Sequence, residues 1–266
     1  MTFSLSISHT PWRPDRVVAL REMMMVLTPL AHGIPFFLND VDYRGKDWQQ
    51  AKVTWALDQW RWHLSTSATH HVLMTDDLAI APGFWMALDA MVTACPNGAI
   101  GLLSNHPAGP RLVAEGYRWY RCGCWIVGPA YVVPRETLDG FVKWYEALPD
   151  GPHNQEGTKA YRNDDSSLNE FLSQTRRNSY HPLPTIVEHR GDLPSTVGHG
   201  DKYSRERLSW RQVQKTYDDP AEPKGFAWKA MAVAFDLVAM ARPNYWREKG
   251  GPEEAPLLSV GNPEDA

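Results

Sequence analysis

A repeated switch of hydrophobic period limits what this chain can fold into. Residues 3–9, FSLSISH, alternate apolar and polar side chains, the two-residue period of a strand, and run into the proline-bounded loop TPWRP. Asp15 then precedes RVVALREMMMVLTPLA, where apolar residues recur at helical spacing until Pro29 and Gly33 close the segment. The pattern repeats: IPFFLND reads as a second strand ending in Asn39 and Asp40, DWQQAKVTWALDQWRWHLSTS as an amphipathic helix, and HHVLM as a third strand. PGFWMALDAMVTACPNG predicts a helix with proline in its first turn, where the missing N–H would be unpaired anyway, and AIGLLS predicts another strand. Strands alternating with helices pair in parallel through crossovers. The expected fold is therefore α/β, a mostly parallel sheet flanked by helices, with ligands at the carboxyl ends of the strands. The loops after His9, Asp40 and Met74 are where a site is expected.

Further along, YRWYRCGCWIVGPAYVVP reads as strand material, RETLDGFVKWYEAL as a helix and DGPHNQEGTKAYR as a polar connection. NDDSSLNEFLSQTRR has the form of a capped helix start, its acidic and hydroxyl side chains able to accept bonds from first-turn N–H groups. YHPLPTIVEHRGDLPSTVGHGDKYS reads as a strand followed by a long loop, and DDPAEPK, from Asp218 to Lys224, as a linker. FAWKAMAVAFDLVAMAR predicts an amphipathic helix and REKGGPEEAPLLSVGNPEDA a mobile tail. The expected organisation is one domain over residues 1–217, with a C-terminal helical extension and tail, 218–266, packed on or beside it.

Composition narrows the class. In 266 residues, 43% hydrophobic and 22% charged side chains describe a folded globular chain rather than a disordered one. A net charge of -4 argues against a generally basic nucleic-acid binder, though a local basic face is compatible with it. No apolar run approaches the roughly 20 residues of a membrane span, and MTFSLSISHTPWRPDR lacks a signal-peptide layout, so a cytoplasmic protein is expected. Cys95, Cys122 and Cys124 cannot all pair, and the C-x-C matches neither a zinc ribbon nor a thioredoxin motif, so reduced thiols are expected. Twelve tryptophans suggest an aromatic binding cleft.

Asp76 and Asp77 directly follow the third strand. Adjacent carboxylates repel, so a strand end that holds two calls for something cationic between them, such as Mg²⁺ or Mn²⁺; the alternative is that one of them caps the following turn. Arg13 and Arg16, close after the first strand, could meet phosphates.

These segments resemble the GT-A glycosyltransferases. VLMTDDLAIAPGF is similar to their strand, acidic motif and following turn, in which a D-x-D or shortened equivalent holds a metal-bound nucleotide sugar. SLSISHTPWRPDRVVAL resembles the opening strand and nucleotide-binding loop, and FFLND the second strand, whose terminal acid meets base or ribose. NDDSSL resembles the downstream acidic motif at a helix start, with Leu168 in the apolar place after it, and PTIVEHRGDLPST a late strand whose histidine completes the metal site. The resemblance spans residues 3–200 and rests on the order of the motifs. It implies a GT-A-like, Rossmann-like fold and a divalent metal, Mn²⁺ or Mg²⁺, held by Asp77 and His189, with His199 the rival histidine. It implies a nucleotide-sugar donor, a UDP-sugar, contacted by His9, Thr10, Arg13, Arg16, Asp40 and Asp76, and a catalytic base at Asp165 or Asp164. TDD in place of D-x-D leaves open which aspartate binds metal and which meets ribose. Small glycosyltransferases of this kind occur in bacteriophages, which would place the chain in a host cytoplasm. Their acceptors include hydroxymethylated pyrimidines in DNA and saccharides.

For a nucleic-acid acceptor the candidates are Trp125 and the basic stretch from Lys202 to Lys215, with Arg205, Arg207 and Arg211. Trp119, Tyr120, Trp125 and Tyr145 are candidates for an acceptor surface, with a place in the core as the other reading. Two further classes compete: a nucleotidyltransferase and a non-catalytic nucleotide- or nucleic-acid-binding module. The former needs a glycine-rich, lysine-bearing loop after the first strand, and SISHTPWRP has no glycine.

Overall fold

The structure is a computed structural model that describes residues 1–28, 33–42, 48–103, 106, 108–123, 126, 128–148, 164–190, 193 and 237–258; the side chains of 48–53, 110, 164, 237 and 238 lie outside that description. The expected alternation is present in order: β1 (Phe3–His9), α1 (Pro14–Leu27), β2 (Phe36–Asp40), α2 (Trp48–Ser65), β3 (His70–Thr75), β4 (Leu78–Ile80), α3 (Phe84–Ala94) and β5 (Ala99–Gly101). Then come α4 (Gly109–Ala114), β6 (Trp119–Cys122), β7 (Ala130–Pro134), α5 (Arg135–Glu146), α6 (Asp164–Gln174), β8 (Ser179–Pro182) and β9 (Val187–His189). A short helix α7 (Leu237–Met240), a 3-10 segment Tyr245–Gly250 and β10 (Leu257–Leu258) complete the described chain.

Eight strands form one sheet in the order β10-β6-β8-β5-β7-β3-β1-β2. β1 pairs in parallel with β2 and β3, β5 with β8, and β6 with β10. β7 runs antiparallel to both β3 and β5, and β6 to β8, so the sheet is mixed, with parallel pairing in the majority. Apolar side chains cover both faces. Met23 and Leu27 of α1 and the apolar face of α3 pack on Leu5, Ile7, Val72 and Met74 from one side. Trp60 of α2 and Phe141 and Tyr145 of α5 pack on Leu73, Tyr131 and Val133 from the other.

The polar side of FSLSISH is not a solvent face. Ser4 and Ser6 are fully buried under α2, where His63 accepts or donates at both ring nitrogens: Nδ1 to Ser4 Oγ at 2.7 Å and Nε2 to Ser6 Oγ at 2.8 Å. Ser4 Oγ also meets His71 Nδ1 at 2.7 Å. Burial, reinforced by the neighbouring imidazole, pushes His63 down to about 2, and burial likewise lowers His71 to about 4, so both rings are neutral hydrogen-bonding groups at ordinary pH.

Two expectations are corrected. Four of the tryptophans, Trp60, Trp85, Trp119 and Trp246, are buried in the core rather than lining a cleft, as are Tyr120 and Tyr145, so for Trp119, Tyr120 and Tyr145 the core reading holds over the acceptor surface. The tail expected to be mobile is docked over its first half. Arg247 Nη2 donates to Thr93 O at 3.2 Å, Ala255 is buried, and Leu257–Leu258 pairs with β6 at the sheet edge; just before the tail, Trp246 is fully buried and its carbonyl accepts the Trp119 Nε1–H at 2.6 Å. An edge strand offers a row of unpaired backbone groups, and the sequence around Leu257 satisfies part of that row. Of the predicted helix over 226–242, residues 237–240 are described and helical; the basic stretch from Lys202 to Lys215 lies outside the described residues. Cys95 and Cys122 are buried and form no disulfide with one another; Cys124 lies outside the description. No described helix is long and apolar enough to cross a membrane.

The buried imidazoles give the fold a specific acid sensitivity. Their folded pKa values lie below the unfolded value, so the unfolded chain takes up protons that the native one refuses, and stability falls as pH drops below about 6.5. Each histidine contributes a slope of roughly 1.4 kcal/mol per pH unit. Urea unfolding between pH 6.5 and 5 should show this loss, and His63→Gln, which can still bond both serines without titrating, should reduce it, leaving the share of His71 and of the likewise lowered His70. A flat wild-type profile over that range would refute the assignment.

Candidate functional site

The carboxyl ends of β1, β2 and β3 lie side by side because the three strands are parallel and in close register: Ile7 faces Leu38 and Met74, and His9 faces Asp40. Asp76 continues the β3 ladder, its N–H donating to Ser8 O at 3.0 Å, and its side chain turns into the start of the β1–α1 loop. Oδ2 accepts from Thr10 N at 2.8 Å and Thr10 Oγ1 at 3.0 Å and meets His9 Nδ1 at 2.9 Å. Asp76 thereby holds the loop that follows the first strand.

Arg16 supplies the positive charge between the two carboxylates. It lies on the inward stripe of α1 with Ala19, Met23 and Leu27 and is 1% exposed. Its Nη1 reaches Asp76 Oδ1 at 3.1 Å and Asp77 Oδ2 at 2.5 Å; that nitrogen carries two hydrogens, one for each acid.

Asp77 faces a different element. Its Oδ2 is 2.9 Å from His189 Nε2, and Thr75 Oγ1 donates to its Oδ1 at 2.5 Å. The contact exists because β4 and β9 pair antiparallel, with Leu78 opposite His189, and because Arg190 N donates to Asp77 O at 2.8 Å. Burial opposes ionisation of Asp77, but the hydrogen bond and charge of His189, with Arg16 and Thr75, outweigh it and hold the carboxyl below its ordinary range. Burial likewise opposes charge on His189, and Asp77 overcomes it and raises the imidazole. The pair therefore stabilises the fold between the ionisation of Asp77 and the deprotonation of His189, fading as pH falls through the first or rises through the second.

A second acid stands at the start of α6. Asp165 Oδ1 accepts from Ser166 N at 2.8 Å and Oδ2 from Gly128 N at 3.1 Å. A Cβ on Gly128 would lie 2.8 Å from that oxygen, so the close approach needs glycine. Asn169, one turn further along the same face of α6, clamps Ile126 through both backbone groups, at 2.6 and 3.0 Å. Pro129, which follows Gly128, accepts from Thr75 N at 2.9 Å. A contiguous path thus runs from Asp165 through Gly128 and Pro129 to Thr75 and Asp77.

The structure brings His9, Thr10, Arg16, Asp76, Asp77 and His189 into one cluster and links Asp165 to it through the 128–129 backbone. Asp40 lies beside His9 in register but is exposed, with no hydrogen bond to the cluster among the described residues. Arg13 pairs with Asp15 in the first turn of α1. The Asp164 side chain, Trp125, Arg205, Arg207, Arg211 and His199 lie outside the described residues. Sequence reasoning did not single out Thr75, Gly128 or Asn169. Thr75 could have been found from its place two residues before Asp77, and Gly128 from the Gly-Pro step before a strand; Asn169 carries no local signal.

Two variants test this geometry. Arg16→Met would remove the charge the two buried carboxylates share and should cost about 3–5 kcal/mol in denaturant unfolding, with part of the loss recovered by adding Asp76→Asn. Gly128→Ala should displace Asp165 while leaving far-ultraviolet circular dichroism unchanged; an unshifted Asp165 carboxyl carbon resonance in that variant would refute the close-approach argument.

No family model matches the chain, and no curated relative does. Among solved structures, the crystal structure of a glycosyltransferase involved in the glycosylation of the major capsid of PBCV-1 is similar over 66% of this chain and 78% of that one, with a TM-score of 0.39 and 10% identity. This is a distant likeness in α/β architecture, which the eight-stranded sheet displays in its own right.

Proposed function

We propose that the chain is a glycosyltransferase of GT-A type that moves a sugar from a nucleotide-sugar donor to an acceptor hydroxyl. The observation that carries this reading is the meeting of Asp77 and His189, 112 residues apart, at the carboxyl end of the sheet, with Asp165 tied to the same end. A carboxylate oxygen suits Mn²⁺ or Mg²⁺, with substrate phosphates completing the coordination, and the His189 imidazole would join as a ligand on giving up the proton it shares with Asp77. Asp77 and His189 would hold such an ion, which when bound supplies charge to stabilise a diphosphate leaving group.

The remaining roles belong to side chains. Asp76 fixes the start of the loop after β1 through His9 and Thr10, where the donor's nucleotide would lie, and Arg16 holds both aspartates in place. Asp165 would take the proton from the acceptor hydroxyl as it attacks the anomeric carbon. Its two backbone bonds orient the carboxylate, which has about four lone-pair sites in all. The acceptor is an alcohol, either a hydroxymethylated pyrimidine in DNA or a saccharide, and a UDP-sugar is the donor this reading favours.

Thermal unfolding of the full chain with each nucleoside diphosphate, with and without Mn²⁺, tests the donor site. UDP with Mn²⁺ should raise Tm saturably in the wild type and not in Asp77→Ala, while Asp165→Asn should keep the shift and lose at least 100-fold in transfer of labelled sugar. No stabilisation by any nucleotide would sink the donor-site reading, and full turnover in Asp165→Asn would remove that residue as base.

A further inference from the structure

A concave surface lies at the end of the sheet opposite the aspartate cluster. A cavity of about 880 Å³ opens beside His70, the first residue of β3, between the start of α5 and the end of α6. The aspartate cluster lies beyond the last residue of the same strand, so at about 3.3 Å per residue roughly 17–20 Å separate the two. Nothing in the site already described reaches this cavity.

Arg135, Arg176 and Arg177 line it, with the amides of Asn97 and Asn178. Arg135 is committed to closing α2, donating to Thr66 O at 2.5 Å and Leu64 O at 2.6 Å, and Arg177 Nη1 donates to Thr137 Oγ1 at 2.6 Å. The Arg176 guanidinium and the two amides make no hydrogen bond or ion pair among the described residues. Three carboxylates also line the cavity. Asp139 is paired with Lys143 at 2.7 Å, and Glu253 accepts the Tyr180 hydroxyl at 3.0 Å, which leaves Glu136.

The backbone at Arg176 adds an independent observation. Its φ of 55° is left-handed, and it sits where α6 ends, with Arg176 N donating to Ser173 O at 3.0 Å and Arg177 N to Leu172 O at 2.8 Å. Glycine is the ordinary residue at such a helix end because a Cβ is crowded there. Here a strained position carries a long cationic side chain beside a cavity, and backbone strain of this kind concentrates at ligand contacts.

We propose that this cavity binds a phosphate ester with a hydroxyl-bearing body, a sugar phosphate or a nucleotide, and that Arg176 contacts the phosphate. A guanidinium fork matches phosphate oxygens in two parallel hydrogen bonds. The cavity has the volume of a site for a ligand of that size. Asn97, Asn178 and Glu136 offer the mixed donors and acceptors that hydroxyl groups require. The site is separate from the donor site of the proposed transferase and does not depend on that reading.

The test is thermal unfolding of the full chain with glucose 6-phosphate, uridine monophosphate and, as the neutral control, glucose. At least one ester should raise Tm saturably and glucose should not; a shift by the sugar phosphate alone, or by the nucleotide alone and lost in the Arg176 variants, identifies the body and supports the site, whereas a nucleotide shift lost in Asp77→Ala and kept in the Arg176 variants belongs to the donor site and counts against this one. Arg176→Gly separates binding from folding. Relief of the left-handed strain should raise the ligand-free Tm by about 2 °C while apparent affinity for the ester falls at least tenfold. Arg176→Gln, which keeps a side chain at that backbone position, should lose affinity similarly without the gain in Tm. The UDP and Mn²⁺ response that depends on Asp77 should persist in both variants, so failure of one site is distinguishable from failure of the other. No saturable shift with either ester, or unchanged affinity in both variants, overturns the proposal.

Discussion

Two neighbouring carboxylates, 3% and 8% exposed, have to be compensated inside the fold, and much of its local structure follows from that demand. Taking a carboxylate out of water is tolerable only with an opposite charge and several hydrogen bonds around it. Asp76 obtains them from the β1–α1 loop and Asp77 from β9, so the same electrostatic requirement fastens two remote segments to the end of β3. Arg16 shares its charge between the two. It occupies the first place of a buried helical stripe that otherwise belongs to Ala19, Met23 and Leu27, where its charge is far from water and close to both acids.

The body of the sheet shows the opposite solution to buried polarity. Ser4, Ser6, His63 and His71 are as inaccessible as the aspartates, yet they form a neutral network, since burial keeps both imidazoles uncharged. Neutral hydrogen bonds can be buried at modest cost when satisfied, whereas ionised groups need partners of opposite sign. Along β1, then, neutral polar contacts lie under α2 and ionic contacts gather at the carboxyl end.

The parts legible in the sequence are those whose signal is local. FSLSISH, IPFFLND and HHVLM appear as strands, and α1, α2, α3, α5 and α6 as helices, because each carries its own period over enough residues. β4 was hidden: LAI is three residues long, and its partner Val187–His189 lies more than 100 positions away. The burial of Trp119 beneath Trp246 was hidden for the same reason, as composition counts aromatic residues without saying what they touch. Asp76, Asp77, His189 and Asp165 could be named from the order of short motifs, whereas Thr75, Gly128 and Asn169 act through backbone approach and hydrogen bonding that no motif records.

The departures from parallel pairing are what bring the candidate residues together. A parallel sheet delivers only the carboxyl ends of its strands, and the loops after them, to the ligand-binding edge. β7 runs against β3, so it brings its amino end there instead: Ala130 faces Met74, and the preceding Gly128 and Pro129 reach Asp165 and Thr75. The antiparallel β4–β9 ribbon sets the last residue of β9, His189, opposite Leu78 and so beside Asp77. Were β7 parallel to β3, Gly128 would lie at the His70 end, and Asp165 would lose the backbone donor that ties it to the aspartate cluster. The placement of the second acid is thus a property of strand direction, fixed by the chain's topology before any side chain on α6 takes part.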